Sequence, residues 1–277
     1  MTHTTVRRPA LRVSLDGARN TRQDTLAVEE PLEIRLDGAP FTTTMRTPGH
    51  DLELALGFLV AEGVIRAAHD VVHAEHCPTA SLDAGGAPTH NVVNVDLAPH
   101  VARPQPARHR HVTSACGICG TASVDAVRTH APPLPAAEPA RLDPVVLAAL
   151  PDTMRAAQRV FQRTGGLHAA ALFDAAGTLV CLREDVGRHN ALDKVVGWAF
   201  ERELLPLHDH IVQVSGRASF ELVQKTWLAG CPVLAAVSAP SSLAVQLAHE
   251  AGLTLVGFSR GDHFTVYAGA QRLAAVG

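Results

Sequence analysis

The chain has 277 residues, a formal net charge of −3, 47% hydrophobic residues and only 4% aromatic ones. That length allows one large domain or two modest ones around a sizeable core. The slight negative balance excludes a general attraction to nucleic acid or to an anionic membrane, so any anion must be held by a local site. No apolar run is long enough to span a bilayer. The basic start from Met1 to Arg8 is not followed by an apolar signal core, and a cytoplasmic protein is expected. In that compartment thiols stay reduced, and paired cysteines fit metal or redox work better than a structural disulfide; five, an odd number, also argues against a disulfide framework.

Residues 1–25 are polar and read as a disordered tail. Residues 32–36 alternate as a strand, and Asp37-Gly38 predicts a tight turn into a second strand over 41–45. Thr47-Pro48 has the form of a helix cap and first residue. Leu52, Ala55, Leu56 and Leu59 give that helix an apolar face, and Gly63 ends it. A further strand covers 92–96. Segments 78–90 and 97–111 read as loops, and Pro132-Pro133-Leu134-Pro135 as a linker.

Met154, Ala157, Gln158 and Phe161 line a helix that stops at Gly165-Gly166. Strands at 167–173 and 178–182 follow, then a helix over 190–200. From there strand and helix alternate: 211–214, 220–228, 233–237, 243–251, 253–258, with a last strand at 264–267. Such alternation predicts an α/β fold whose sheet is largely parallel and covered on both faces, giving three layers. Antiparallel first and last strands would make the sheet mixed. The expected organisation is the tail, a smaller N-terminal α+β domain over 26–135, and an α/β domain over 136–277.

In such a sheet, ligands sit beyond the carboxyl ends of the strands. Three successive strand ends carry small, polar or basic groups: Ser215-Gly216-Arg217-Ala218-Ser219, Ser238-Ala239-Pro240-Ser241-Ser242, and Phe258-Ser259-Arg260-Gly261-Asp262-His263. The first two directly precede helices, where free N–H groups favour an anion. Arg217 and Arg260 can each offer a fork of donors to a phosphate. Together the three ends predict a phosphate or nucleotide pocket. The run Arg183-Glu184-Asp185-Val186-Gly187-Arg188-His189-Asn190 also lies between strand and helix. It reads either as part of that pocket or as a salt-bridged helix start capped by Asp185 or Asn190. Thr164-Gly165-Gly166-Leu167-His168 leaves the same choice between binding group and core histidine.

Cys116-Gly117-Ile118-Cys119 follows a basic, proline-broken stretch and forms a C-x-x-C on a loop. A zinc site would need further ligands, with His109, His111, Cys77, His73 and His76 as candidates. His73-Ala74-Glu75 ahead of the C-x-x-C is similar to the H-x-E…P-C-x-x-C signature of zinc deaminases. Ala115 stands where that signature has proline, and Cys77-Pro78 breaks the helix that H-x-E should open. A redox pair would need a helix N-terminus, and Gly117 and Gly120 do not favour one. A sulfur carrier needs only a thiolate on a mobile loop that becomes a persulfide, and Arg108 and Arg110 would help to hold the thiolate. Zinc loop and sulfur carrier both remain open on these residues.

The stretches T-S-A-C-G-I-C-G (113–120), T-G-G-L-H-A-A-A-L-F (164–173), R-E-D-V-G-R-H-N-A-L-D-K (183–194), S-G-R-A-S-F-E-L-V-Q-K (215–225) and V-S-A-P-S-S-L-A-V (237–245) together resemble the FdhD family of formate dehydrogenase accessory proteins. The resemblance runs in order over most of the chain. It implies a cytoplasmic, sulfurtransferase-like carrier that takes persulfide sulfur from a cysteine desulfurase and passes it to the molybdenum cofactor. That cargo is the bis-molybdopterin guanine dinucleotide form, sulfurated before it enters formate dehydrogenase. The resemblance further implies a homodimer, a cytidine-deaminase-like C-terminal domain without the deaminase metal, and Cys116 as the persulfide cysteine with Cys119 beside it. It places cofactor binding at Phe258, Ser259, Arg260, Gly261, Asp262 and His263, and the pocket reading adds Ser215, Arg217 and Ser238. A zinc-dependent deaminase-type hydrolase and a cofactor chaperone without sulfur transfer are the alternatives.

Overall fold

The computed structural model describes residues 3–77, 86, 89–104, 131–136 and 142–275, and the backbone of 111–112. The first element corrects the expectation of a disordered tail. Strands β1 (Thr5–Val13) and β2 (Arg19–Ala27) pair antiparallel from Thr5 opposite Ala27 to Val13 opposite Arg19. Gly17, at a φ of 91°, and the Asp16 carboxylate, which accepts from the Ala18 N–H, shape the turn. Most side chains of this hairpin are solvated on both faces, so its sequence lacks the apolar alternation by which a half-buried strand is recognised.

Strands β3 (Glu30–Leu36) and β4 (Ala39–Arg46) form the expected hairpin. Asp37 and Gly38 both have positive φ, 49° and 81°, the backbone that a two-residue turn matched to strand twist requires. Helix α1 (Asp51–Ala61) starts later than Thr47. Thr47 does not cap it: its N–H donates to Asp185, its hydroxyl accepts from the Val186 N–H, and its carbonyl accepts from Lys194. Strands β5 (Val71–His76), β6 (Val92–Leu97) and β7 (His111–Val112) complete a five-stranded mixed sheet in the order β5-β6-β3-β4-β7.

The C-terminal half follows the expected alternation. Helix α2 (Pro144–Ala157) is capped by Asp143, whose carboxylate accepts from the Val145 N–H, and α3 (Arg159–Thr164) ends at Gly165 in the left-handed region. Then come β8 (His168–Asp174), β9 (Leu179–Asp185), α4 (Arg188–Glu201), β10 (His210–Val214), α5 (Phe220–Leu228), β11 (Val233–Ala236), α6 (Ser242–Ala251), β12 (Thr254–Arg260) and β13 (His263–Ala268). Their sheet has the order β13-β12-β11-β10-β8-β9. Strands β10, β11 and β12 are parallel and the outer pairings antiparallel, so the sheet is mixed, as the sequence predicts.

Helix α2 covers one face with Leu147, Leu150 and Met154 against Ala169, Phe173 and Ile211. The other face meets α4, α5 and α6, and there the core does not stop. One apolar cluster runs from Val212, Leu222 and Val195 through Leu54 and Leu59 of α1 to Leu32, Ile34 and Val93 of the five-stranded sheet. Helix α1, sandwiched between that sheet and α4, is accordingly buried almost all round.

Polar groups also cross this junction. Arg183 of β9 grips Glu53 of α1 through two bonds of 2.5 and 2.7 Å. Burial pushes the Glu53 carboxyl up, but the Arg183 and His50 partners outweigh it and hold the pKa at about 2. A carboxylate with a lowered folded pKa adds stability that is present above its unfolded pKa and is lost as pH falls through the folded one. Glu53→Gln is therefore expected to be less stable than the parent above about pH 4.5. In urea titrations across a pH series the gap should narrow toward pH 2, and a gap that is constant with pH would refute the pairing.

Candidate functional site

Parallel β10, β11 and β12 bring their carboxyl ends to one edge of the six-stranded sheet. Strand β8 runs antiparallel to β10, so its first residue, His168, lies at the same edge, opposite Asp185 at the end of β9. The glycine pair before His168, the charged run after β9 and all three strand-end segments thus converge.

The three segments stay side by side beyond the strands. Ala218 bridges to Pro240, the Ser241 N–H donates to the Ala218 carbonyl, and the Phe258 N–H donates to the Ser238 carbonyl. The serines divide by role. The Ser215 hydroxyl accepts from the Ala169 N–H at 2.8 Å, and the Ser241 hydroxyl caps α6 by accepting from Ala244. Ser238 is half-buried. Ser259 is 0% exposed, and its hydroxyl has no hydrogen-bond partner among the described residues. Arg217, Arg260, Asp262 and His263 are exposed.

Phe258 has an unusual backbone. Its φ is 51°, a left-handed value that costs a bulky residue of order 1 kcal/mol. The cause is a break in register between β12 and β13 from Gly257 to Arg260. Such bulges re-aim side chains, and here the phenylalanine is left 37% exposed. The preceding Gly257 has no room for a side chain, because a Cβ would meet Tyr267 at 2.9 Å and Pro240 at 3.0 Å. The chain then turns at Gly261, φ 51°, and the Asp262 carboxylate lies 2.7 Å from His263 Nδ1.

The charged run 183–190 splits between the two readings its sequence allows. Arg183 pairs with Glu53, and Glu184 accepts from the N–H groups of Val160 and Phe161 at the start of α3. Asp185 is wholly buried against Lys194, and Asn190 donates to Asp185 and to the Met45 carbonyl. These four residues are structural. Arg188 and His189 open α4 at the strand-end edge instead. A Cβ on Gly216 would lie 3.5 Å from His168 and 3.9 Å from Arg188, so both side chains border the end of β10. Burial, Arg188 and His189 push the His168 imidazole below the ordinary histidine range, against a weaker pull from Asp185. His189 Nε2 lies 2.8 Å from Glu221 and 3.2 Å from the Ser219 hydroxyl. Burial raises the Glu221 carboxyl, but the His189 bond outweighs it and holds it below the usual range. Glu221 in the first turn of α5 opposes anion binding at that helix start, and His189 offsets it.

A family model described as the FdhD/NarQ family matches residues 27–274. The chain belongs to this family. It is 58% identical to the sulfur carrier protein FdhD of Streptomyces avermitilis over 99% of this chain and 97% of that one. It is 56% identical to the sulfur carrier protein FdhD of Mycobacterium tuberculosis over 91% of this chain and 93% of that one. A Desulfotalea psychrophila protein, described as a candidate formate dehydrogenase accessory protein, superposes with a TM-score of 0.78 at 22% identity. That match covers 98% of this chain and 100% of the other, and at this identity it shows a common fold.

The FdhD/NarQ match spans every strand-end residue named above. Cys116 and Cys119 lie outside the described residues. Of the remaining cysteines, Cys77 is a half-buried free thiol after β5, whereas Cys181 and Cys231 are buried, and desolvation pushes both of these thiols up to about 12, which leaves them unreactive. His73 and Glu75 lie on β5 with exposed side chains, whereas the zinc-deaminase signature needs them at a helix start. Glu221 carries no sequence signal, since an acidic residue in a first helical turn is ordinary. His168, Arg188 and His189 stand in conspicuous stretches, but only the fold separates them from their structural neighbours.

Proposed function

We propose that the protein carries sulfur from a cysteine desulfurase to the molybdenum cofactor, in its bis-molybdopterin guanine dinucleotide form, for a formate dehydrogenase. The observation that carries this reading is the sheet edge, where Arg188 and Arg217 stand beside helix starts, and Arg260 beside an aromatic ring held out by a strained backbone. Arginine forks and free N–H groups suit pyrophosphates, and the Phe258 face suits a guanine. Asp262 would accept from guanine N–H groups in place of His263, with Gly261 allowing close approach. The relatives' names, sulfur carrier protein and formate dehydrogenase accessory protein, support the sulfur-carrying part of this reading. In this reading the C-terminal half is cytidine-deaminase-like, and the protein works in the cytoplasm as a homodimer. No helix among the described residues is long and apolar enough to cross a membrane.

The buried, raised thiols of Cys181 and Cys231 support assigning the chemistry to the C-x-x-C. The Cys116 thiolate attacks the terminal sulfur of the desulfurase persulfide. A new S–S bond forms on Cys116, the old one breaks, and the desulfurase cysteine leaves as a thiolate. For release, the Cys119 thiolate attacks Cys116 Sγ. Hydrosulfide leaves, the two cysteines end as a disulfide, and their two electrons reduce the transferred sulfur. A cellular dithiol then restores both thiols.

Mass spectrometry after incubation with a desulfurase and cysteine tests the assignment. The expected gain is one cyanide-labile sulfur on the peptide containing Cys116, absent from Cys116→Ala. Cys119→Ala should keep the label but deliver none to the cofactor. A label that survives in Cys116→Ala overturns the proposal.

A further inference from the structure

Away from the sheet edge, two histidines and a carboxylate converge where β5 begins and β6 ends. Asp70 closes the 3-10 turn Ala68–Asp70 just before β5, and His69 precedes it. His100 lies in the turn that follows β6. His100 Nε2 is 2.9 Å from Asp70 Oδ1, and His69 Nε2 is 3.7 Å from the same oxygen. One ligand atom from each residue lies within 4.8 Å of the other two.

The carboxylate is fixed from behind. Its Oδ2 accepts from the N–H groups of Arg66 at 2.7 Å and Ala67 at 3.0 Å, which turns Oδ1 toward the imidazoles. The Asp70 carbonyl accepts from the Ala98 N–H, joining the turn before β5 to the end of β6. Arg103 locks the second turn by donating to the carbonyls of Leu97, Ala98 and Val101. Burial raises the Asp70 carboxyl, but these backbone donors and His100 outweigh it and keep it ionised. Asp70 is 9% exposed, whereas the His69 and His100 side chains are open to solvent.

An ordinary histidine–aspartate pair explains His100 alone. A second imidazole nitrogen, His69 Nε2, faces the same oxygen, and the two rings lie with their centroids 5.5 Å apart, so all three side chains converge on one point. A single cation at that point would be within reach of all three ligand atoms. Ligands about 2.0–2.1 Å from a tetrahedral ion lie roughly 3.3 Å apart, and the two measured separations bracket that value. Nitrogen and oxygen donors of this kind suit a borderline divalent ion, and the buried oxygen held by backbone donors is the outer support that metal-binding carboxylates require.

We propose that His69, Asp70 and His100 form a zinc site, with water in the open position, that clamps the turn before β5 to the turn after β6. This site is independent of sulfur transfer. The test uses the full, tag-free chain in a Cys116→Ala/Cys119→Ala background, so that those thiols do not compete, with zinc alone as the probe. Calorimetric titration should give about one zinc per chain, bound at least ~10-fold more weakly after His69→Ala or His100→Ala. Zinc should raise the melting temperature of the background protein and not of either histidine variant. Both histidines are solvent-exposed, so their removal leaves the fold intact. No zinc binding by the background protein, or equal binding by all three, overturns the site. Neither result bears on the persulfide assignment, which the labelling of Cys116 decides separately.

Discussion

Lys194→Met is expected to cost about 3–5 kcal/mol of folding stability, the usual consequence of leaving a buried charge without its partner. Lys194 is 1% exposed and Asp185 0% exposed, and Nζ lies 2.7 Å from the carboxylate. Methionine fills a similar volume, so the loss comes from charge and hydrogen bonding more than from a cavity. Asp185 would keep its bonds from Thr47, Gly187 and Asn190. These place the cost toward the lower end of the range and above that of a surface ion pair, which is about 0–1 kcal/mol. Lys194 also donates to the Thr47 carbonyl, so the loss loosens the loop between β4 and α1. Urea unfolding measures the effect. The double variant Asp185→Asn/Lys194→Met should be more stable than Lys194→Met, because it removes the orphaned charge. A single variant within 1 kcal/mol of the parent would show that Asp185 is satisfied without the lysine. The consequence reaches the candidate site, since Asp185 holds the Gly187 N–H, and Arg188 and His189 come next.

The sheet edge was legible in the sequence because its signals are local. A hydrophobic strand with a polar end recurs three times, twice followed by an amphipathic helix, and parallel connectivity then puts the three ends together. The β3–β4 hairpin was legible for the same reason, through Asp37-Gly38. The partners of Arg183, Asp185 and Thr47 were not. Glu53 is 130 residues from Arg183, and Thr47 is 138 from Asp185. Thr47-Pro48 has a good local pattern for a cap, but three bonds to the other half of the chain use its polar groups instead. The β1–β2 hairpin was hidden because cross-strand backbone pairing, which leaves no compositional trace, holds it. The same reasoning explains the zinc candidate: His69 and His100 are 31 positions apart, and only the pairing of β5 with β6 brings their turns together.

Gly197→Ala sets two magnitudes against each other. Alanine in place of a mid-helix glycine gains about 1 kcal/mol of intrinsic helix propensity. Against this, a Cβ on Gly197 would lie 1.8 Å from the Glu53 carbonyl oxygen, and a Cβ on Gly57 would lie 1.8 Å from the Asp193 carbonyl oxygen. Helices α1 and α4 therefore cross backbone to backbone, each glycine receiving the other helix. Main-chain atoms inside a helix cannot swing aside as a flexible side chain can, so the helices must separate by more than 1 Å. Overpacking of a well-filled core costs typically 1–3 kcal/mol and occasionally more. With backbone on both sides, the upper part of that range applies. A net loss of about 1–2 kcal/mol is expected for either single variant. Gly166→Ala is the control, since its nearest contact would be 3.9 Å away and its φ is not positive, so it should be close to neutral. A Gly197→Ala protein as stable as the parent would mean that propensity wins and the crossing is looser than these distances. If the crossing is as tight as it stands, separating the helices also pulls Glu53 from Arg183 and shifts the whole of α4. The arginine and histidine that open α4 then leave the strand ends, so under the proposed function cofactor binding should weaken with stability although neither glycine touches the site.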